Sequence, residues 1–167
     1  LRKVPAVQTW VMGNLQIFKD PEMYPLLVQT ATELQKAELL KVYKFLEDLD
    51  PKYDVTFLRG YLKDKDDEIR LGAAFILATR GEENAVMMML PMCDENDVQR
   101  QLRCLQAVKG LPTHPDVRER AKLFLYGDPK AEVLYAVYDI FTLAKDDSIY
   151  ERMLQRLQST NLGHRAA

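Results

Sequence analysis

The chain has 167 residues, 47% apolar and 29% charged, with a net charge of -2. That length buries about two thirds of the surface that the unfolded chain exposes, enough for a fold that needs no metal or disulfide. The composition is that of a soluble globular protein, no apolar run approaches the ~20 residues of a bilayer span, and the slight negative charge argues against bulk nucleic-acid binding.

In chain order, Val7, Trp10, Val11, Leu15 and Phe18 recur at the spacing of one helical face. Asp20 before Pro21 is a helix start, because the Asp side chain accepts from the first free backbone N–H groups and Pro lacks one. The helix it opens carries Met23, Leu26, Leu27 and Leu34. Lys36 to Leu49 predicts a third helix, ended by Asp50 and Pro51, and a short one follows from about Asp54 to Leu62. Asp64, Asp66, Asp67 and Glu68 then open a helix over Asp67 to Arg80 whose centre, Leu71 to Ala78, is apolar on every side. Gly72, Ala73 and Ala74 would let neighbouring backbones approach there, and Gly81 is its C-cap. Glu82 to Leu90 is its partner, stopped near Pro91.

The layout recurs. Asp94 to Asp97 start a helix through Val108, stopped by Gly110 and Pro112. Pro115 and Asp116 start the next, through Tyr126, closed by Gly127. Asp128 and Pro129 open the longest, which buries Val133, Leu134, Val137, Ile140 and Phe141. Asp146 or Asp147 caps a last helix with Ile149, Tyr150, Met153, Leu154 and Leu157, and Ser159 to Ala167 is a polar tail. No stretch alternates as a strand does. The expectation is an all-α protein of about ten short helices in antiparallel pairs, forming one domain over residues 1–158.

Aligning Ile69 with Val98 and Val133 gives spacings of about 29 and about 35 residues, in the range of stacked repeats. Ile69-Arg70 after its acidic turn, DVQR at Asp97 to Arg100 and DVR at Asp116 to Arg118 resemble the HEAT-like repeat, over Pro51 to Leu157. Residues 1–50 share only the helical rhythm, and the third copy departs from the pattern, with Glu132-Val133-Leu134 where an arginine is expected. The Trp, Leu-Gly, Tyr and Pro pattern of tetratricopeptide repeats is absent. The resemblance implies an α-solenoid, a right-handed superhelix whose concave surface faces a partner, and it implies no chemistry.

In that family the second helix of each pair lines the concave side. Here those helices carry Arg59 and Lys63, Arg118 and Lys122, and Arg152 and Arg156, each pair four residues apart. Aligned, they would form a basic ladder matched to carboxylates or phosphates; otherwise they complement helix dipoles and solubilise a face. Met88, among Met87, Met89 and Met92, and Tyr138, near Tyr135, are candidate apolar anchors. The competing reading is that the methionines fill an irregular core and the tyrosines cover the neighbouring repeat.

Cys93 and Cys104 are too few for a disulfide framework, so reduced buried thiols and a cytoplasmic compartment are expected. His114 and His164 lack ligands at metal-binding spacing, Ser148 and Ser159 fit cap and tail positions, and the glycines are scattered singly. No metal, cofactor or catalytic residue is therefore expected, and although some HEAT-like proteins are DNA glycosylases, no motif singles out an aspartate. With no initiator Met or leader, the chain reads as part of a longer protein, although removal of a signal peptide would look the same and leaves the compartment open. The expected function is a non-catalytic protein-interaction or scaffold module that binds a protein partner, such as an acidic segment, on its concave face. The rival is binding of nucleic acid or another polyanion by the same cations, and a third reading is a spacer.

Overall fold

The computed structural model describes residues 9–11, 13–17, 20–34, 42–46, 48, 54–94, 96–127 and 129–157. Among these residues every regular element is helical and there is no strand, as the patterning predicts. None of the helices is long and apolar enough to cross a membrane. The chain divides into two compact units, Leu1–Leu77 and Ala78–Ala167.

In the first unit Asp20 accepts from the Glu22 N–H at 3.0 Å, and a 3-10 turn over Pro21–Met23 leads into helix α1, Tyr24–Leu34. Tyr24, Leu27 and Val28 are buried on it, as are Val42, Tyr43 and Leu46 on the helical residues 42–46. Asp48 is in a turn, and the rest of the helix expected over Lys36 to Leu49, with Val7 and Phe18, lies outside the described residues. The helix expected from Asp54 is a 3-10 run over Thr56–Lys63, started by Asp54, which accepts from the Thr56 N–H at 2.8 Å.

Helix α2, Asp67–Thr79, begins in this unit, with Asp66 accepting from the Glu68 N–H at 2.9 Å. Residues 73–78 are buried all round, as an apolar stretch without a polar face requires. Gly72 serves a ring rather than a backbone: a Cβ there would run into Tyr43, whose hydroxyl donates to the Ile69 carbonyl at 3.1 Å.

The second unit contains α3 (Glu83–Met89), a 3-10 run (Leu90–Asp94), α4 (Val98–Val108), α5 (Pro115–Tyr126), α6 (Ala131–Ala144), a 3-10 turn (Asp147–Ile149) and α7 (Tyr150–Leu157). The α-helix of the second member of the pair ends at Met89, near Pro91 as expected, and a 3-10 run carries the chain on to Asp94. Asp97 caps α4, accepting from Gln99 and Arg100 N–H at 2.8 and 3.1 Å. The cap of α5 is His114, whose Nδ1 accepts from the Asp116 N–H at 3.2 Å. Lys130 holds the N-cap position of α6, while Asp128, expected there, lies outside the described residues. Lys145 ends α6 in the left-handed conformation, with φ 53°.

Helix α6 is central to this unit, packed against α4 and α5 with Val133, Leu134, Val137, Ile140 and Phe141 inward. Gly81 closes α2 at φ 80°, a conformation that only glycine adopts without strain. Gly110 is placed against it: a Cβ at Gly110 would meet the Ala78 carbonyl oxygen and come within 2.9 Å of the Gly81 nitrogen.

Cys93 and Cys104 are joined by a disulfide that ties the Leu90–Asp94 run to α4, with both residues buried. The expectation of reduced thiols is therefore wrong. Two cysteines 11 residues apart are few for a framework, yet the turn between their elements brings their Cα atoms to 5.5 Å, within bonding reach. The thiol argument for a cytoplasmic compartment goes with it.

Candidate interaction face

Several cations of the second unit bind inward. Arg118 Nη1 on α5 donates to Asp146 Oδ2 at 3.0 Å, and Lys122, one turn later, lies 5.9 Å over the Phe141 ring of α6. Arg120, on the opposite flank of α5, pairs with Asp94, and Lys109 reaches Asp139 at 2.7 Å. Arg152 on α7 donates from Nε to the Leu125 carbonyl at 2.9 Å and stacks 5.6 Å over Tyr126. Arg156, only 5% exposed, donates from Nη2 to the carbonyls of Leu125 and Gly127 at 3.1 and 2.9 Å. Those carbonyls stand at the C-terminal end of α5, where a helix leaves acceptors unused and its dipole is negative.

The hydrogen-bonded ties among them share a sequence separation: each joins residues 26 to 31 apart. A helix is thus held to an element about one hairpin away. His114 extends the pattern, its Nε2 standing 3.6 Å from a Glu83 carboxylate oxygen. Asp146 acts twice. It accepts from the Ser148 N–H at 2.9 Å as the cap leading into α7, and it takes the Arg118 guanidinium. Bonds to Ser148, with a contribution from Arg118, hold its carboxyl pKa at about 2, below the ordinary 3.8.

The residues singled out in the sequence fall in different surroundings. Arg59 and Lys63 are exposed on the 3-10 run of the first unit. In the second unit Arg118 and Lys122 point along the flank of α5 that meets Asp146 and Phe141, while Arg152 and Arg156 converge on the end of α5. Met88 is half-buried on α3, as are Met87 and Met92, and Met89 is in the core. Tyr138 is half-buried on α6. Burial pushes its hydroxyl pKa up, while the charges of Arg156 and Arg152 pull the other way. Tyr135 is 52% exposed.

A surface that sequence reasoning missed lies on the outward side of α5. Asp116, Glu119, Leu123 and Tyr126 are all exposed there and recur at steps of three, four and three, one stripe of a helix. Leu123 and Tyr126 are 58% and 73% exposed, adjoining positions of one stripe. The spacing is legible in the sequence, but the cations that alternate with these residues mask it. Among the described residues no group of three or more His, Cys, Asp or Glu side chains is placed to hold a metal. Comparison with known proteins finds no matching family model, no matching curated protein and no matching solved structure.

Proposed function

We propose that this chain is a non-catalytic helical-repeat module of HEAT-like type, an α-solenoid in its second unit, that binds another protein. The observation that carries the reading is the 26- to 31-residue separation of the ties between helices. Stacked hairpins need each element to be fastened to the equivalent one in the next repeat, and such stacks serve as extended binding surfaces. Exposed Leu123, Tyr126, Tyr150 and Leu154 on α5 and α7 supply apolar contact area of the kind protein interfaces use. The polyanion reading is the weaker one, because the guanidinium groups it needs on Arg118, Arg152 and Arg156 already serve internal acceptors.

Salt separates the two. The immobilised chain is expected to retain a discrete protein from its native extract through a wash of about 0.5 M salt, and to release heparin well below that. Retention of heparin or nucleic acid with a steep salt dependence would overturn the module reading in favour of polyanion binding. Capture of nothing would favour a spacer.

A further inference from the structure

The outward stripe of α5 differs in charge from the helix as a whole. Arg118, Arg120 and Lys122 turn to its two flanks and are engaged by Asp146, Asp94 and the Phe141 ring. Asp116 and Glu119 are exposed and make no ion pair among the described residues, and Glu151, exposed on the adjoining α7, makes none either. The helix therefore neutralises its cations inside the unit and leaves its carboxylates facing outward. Leu123 and Tyr126 continue the same stripe, and Arg152 stacked on Tyr126 joins the end of α5 to α7. The outward side of α6 also exposes Glu132, Tyr135 and Leu143, but its charge is balanced: Asp139 is paired with Lys109, and the exposed Lys130 and Lys145 stand at its two ends.

From Asp116 to Tyr126 the stripe is about 15 Å long at 1.5 Å per residue, three turns of a helix laid alongside. Its acids lie toward the start of α5 and its large apolar side chains toward the end. A cationic amphipathic helix complements both halves, its Lys or Arg side chains meeting Asp116 and Glu119 and its apolar face covering Leu123 and Tyr126. We infer that the outward stripe of α5 docks a basic amphipathic helix of a partner protein. This rests on the protein-binding reading above and reverses the sign of the partner expected from the sequence, which was an acidic segment.

The test uses the full chain and a labelled 18-residue peptide with Leu on one helical face and Lys on the other. A peptide with Glu in place of Lys and a scrambled peptide of the same composition are the comparisons, by fluorescence anisotropy at physiological salt. The Leu/Lys peptide is expected to bind saturably and the other two to bind at least about tenfold more weakly. Asp116→Lys with Glu119→Lys, and separately Leu123→Ser with Tyr126→Ser, should each weaken binding about tenfold while the circular dichroism spectrum stays unchanged. Glu132→Lys on α6 should change it less than about twofold, since only α5 is involved. Equal binding of the scrambled or Glu peptide, no response to the α5 variants, or an equal response to Glu132→Lys would each overturn the proposal. If the peptide does not bind while the extract still yields a salt-resistant partner, this surface is wrong and the module reading stands. If both fail, both are wrong.

Discussion

Replacing Asp146 separates the two tasks its carboxylate performs. Asp146→Ala removes the cap leading into α7, worth about 1 kcal/mol, and the partner of Arg118, worth about 0.5–1 kcal/mol for a part-exposed pair. The Arg118 Nε is buried without an acceptor, so losing its neighbour leaves this guanidinium still less satisfied. The total expected loss is about 2 kcal/mol. Asp146→Asn keeps a capping oxygen and drops the charge, so it should cost about half as much. In a double-mutant cycle with Arg118→Met, followed by urea denaturation, the coupling should be about 0.5–1 kcal/mol.

The same group sets a pH dependence. The folded protein holds the Asp146 carboxyl at about 2, below its ordinary 3.8. Its contribution is therefore complete above about pH 4 and is lost as pH falls toward 2. A depression of that size corresponds to about 2 kcal/mol in full and about 1 kcal/mol after solvent screening. Wild type should exceed Asp146→Asn by that margin at neutral pH, and the two should converge in acid. A coupling under about 0.3 kcal/mol, with Asp146→Asn matching wild type at pH 7, would refute this account of the tie.

Gly110→Ala should cost about 1–3 kcal/mol, because its Cβ meets backbone at Ala78 and Gly81; a thermal melt matching wild type would show that the approach is looser than drawn. Reducing the bond between Cys93 and Cys104, or replacing both by Ala, should cost about 3 kcal/mol; thiols that alkylate in the folded protein without a reductant would contradict the bond. His114→Ala should cost about 1 kcal/mol through loss of the α5 cap, read by urea denaturation, and His114→Asn should recover most of it.

The helices were legible because their ends carry explicit chemistry. Asp20 with Pro21, Asp97 and Asp146 accept from free N–H groups as the sequence predicts, and Gly81 takes the positive φ that ends α2. His114 as a cap was not legible, since nothing in a lone histidine before a proline distinguishes an accepting Nδ1 from a surface ring. The disulfide depends on a turn geometry that spacing alone does not supply. The direction of the paired cations was also hidden. Positions four apart share a helix face, but whether that face meets solvent or another helix follows from packing, and for Arg156 the packing leaves it 5% exposed.

The most direct measurement compares two sets of charge reversals for stability in urea. Arg118→Glu and Arg152→Glu should each lower stability by about 2 kcal/mol, because they place a carboxylate against Asp146 or against the carbonyls closing α5. Glu119→Lys should stay within about 0.5 kcal/mol of wild type, since it alters an open stripe, and Asp116→Lys should cost no more than about 1 kcal/mol, since it also loses a first-turn acid. If instead the arginine variants fold as stably as wild type, those cations are not what fastens the helices together, and the internal ladder of ties is wrong.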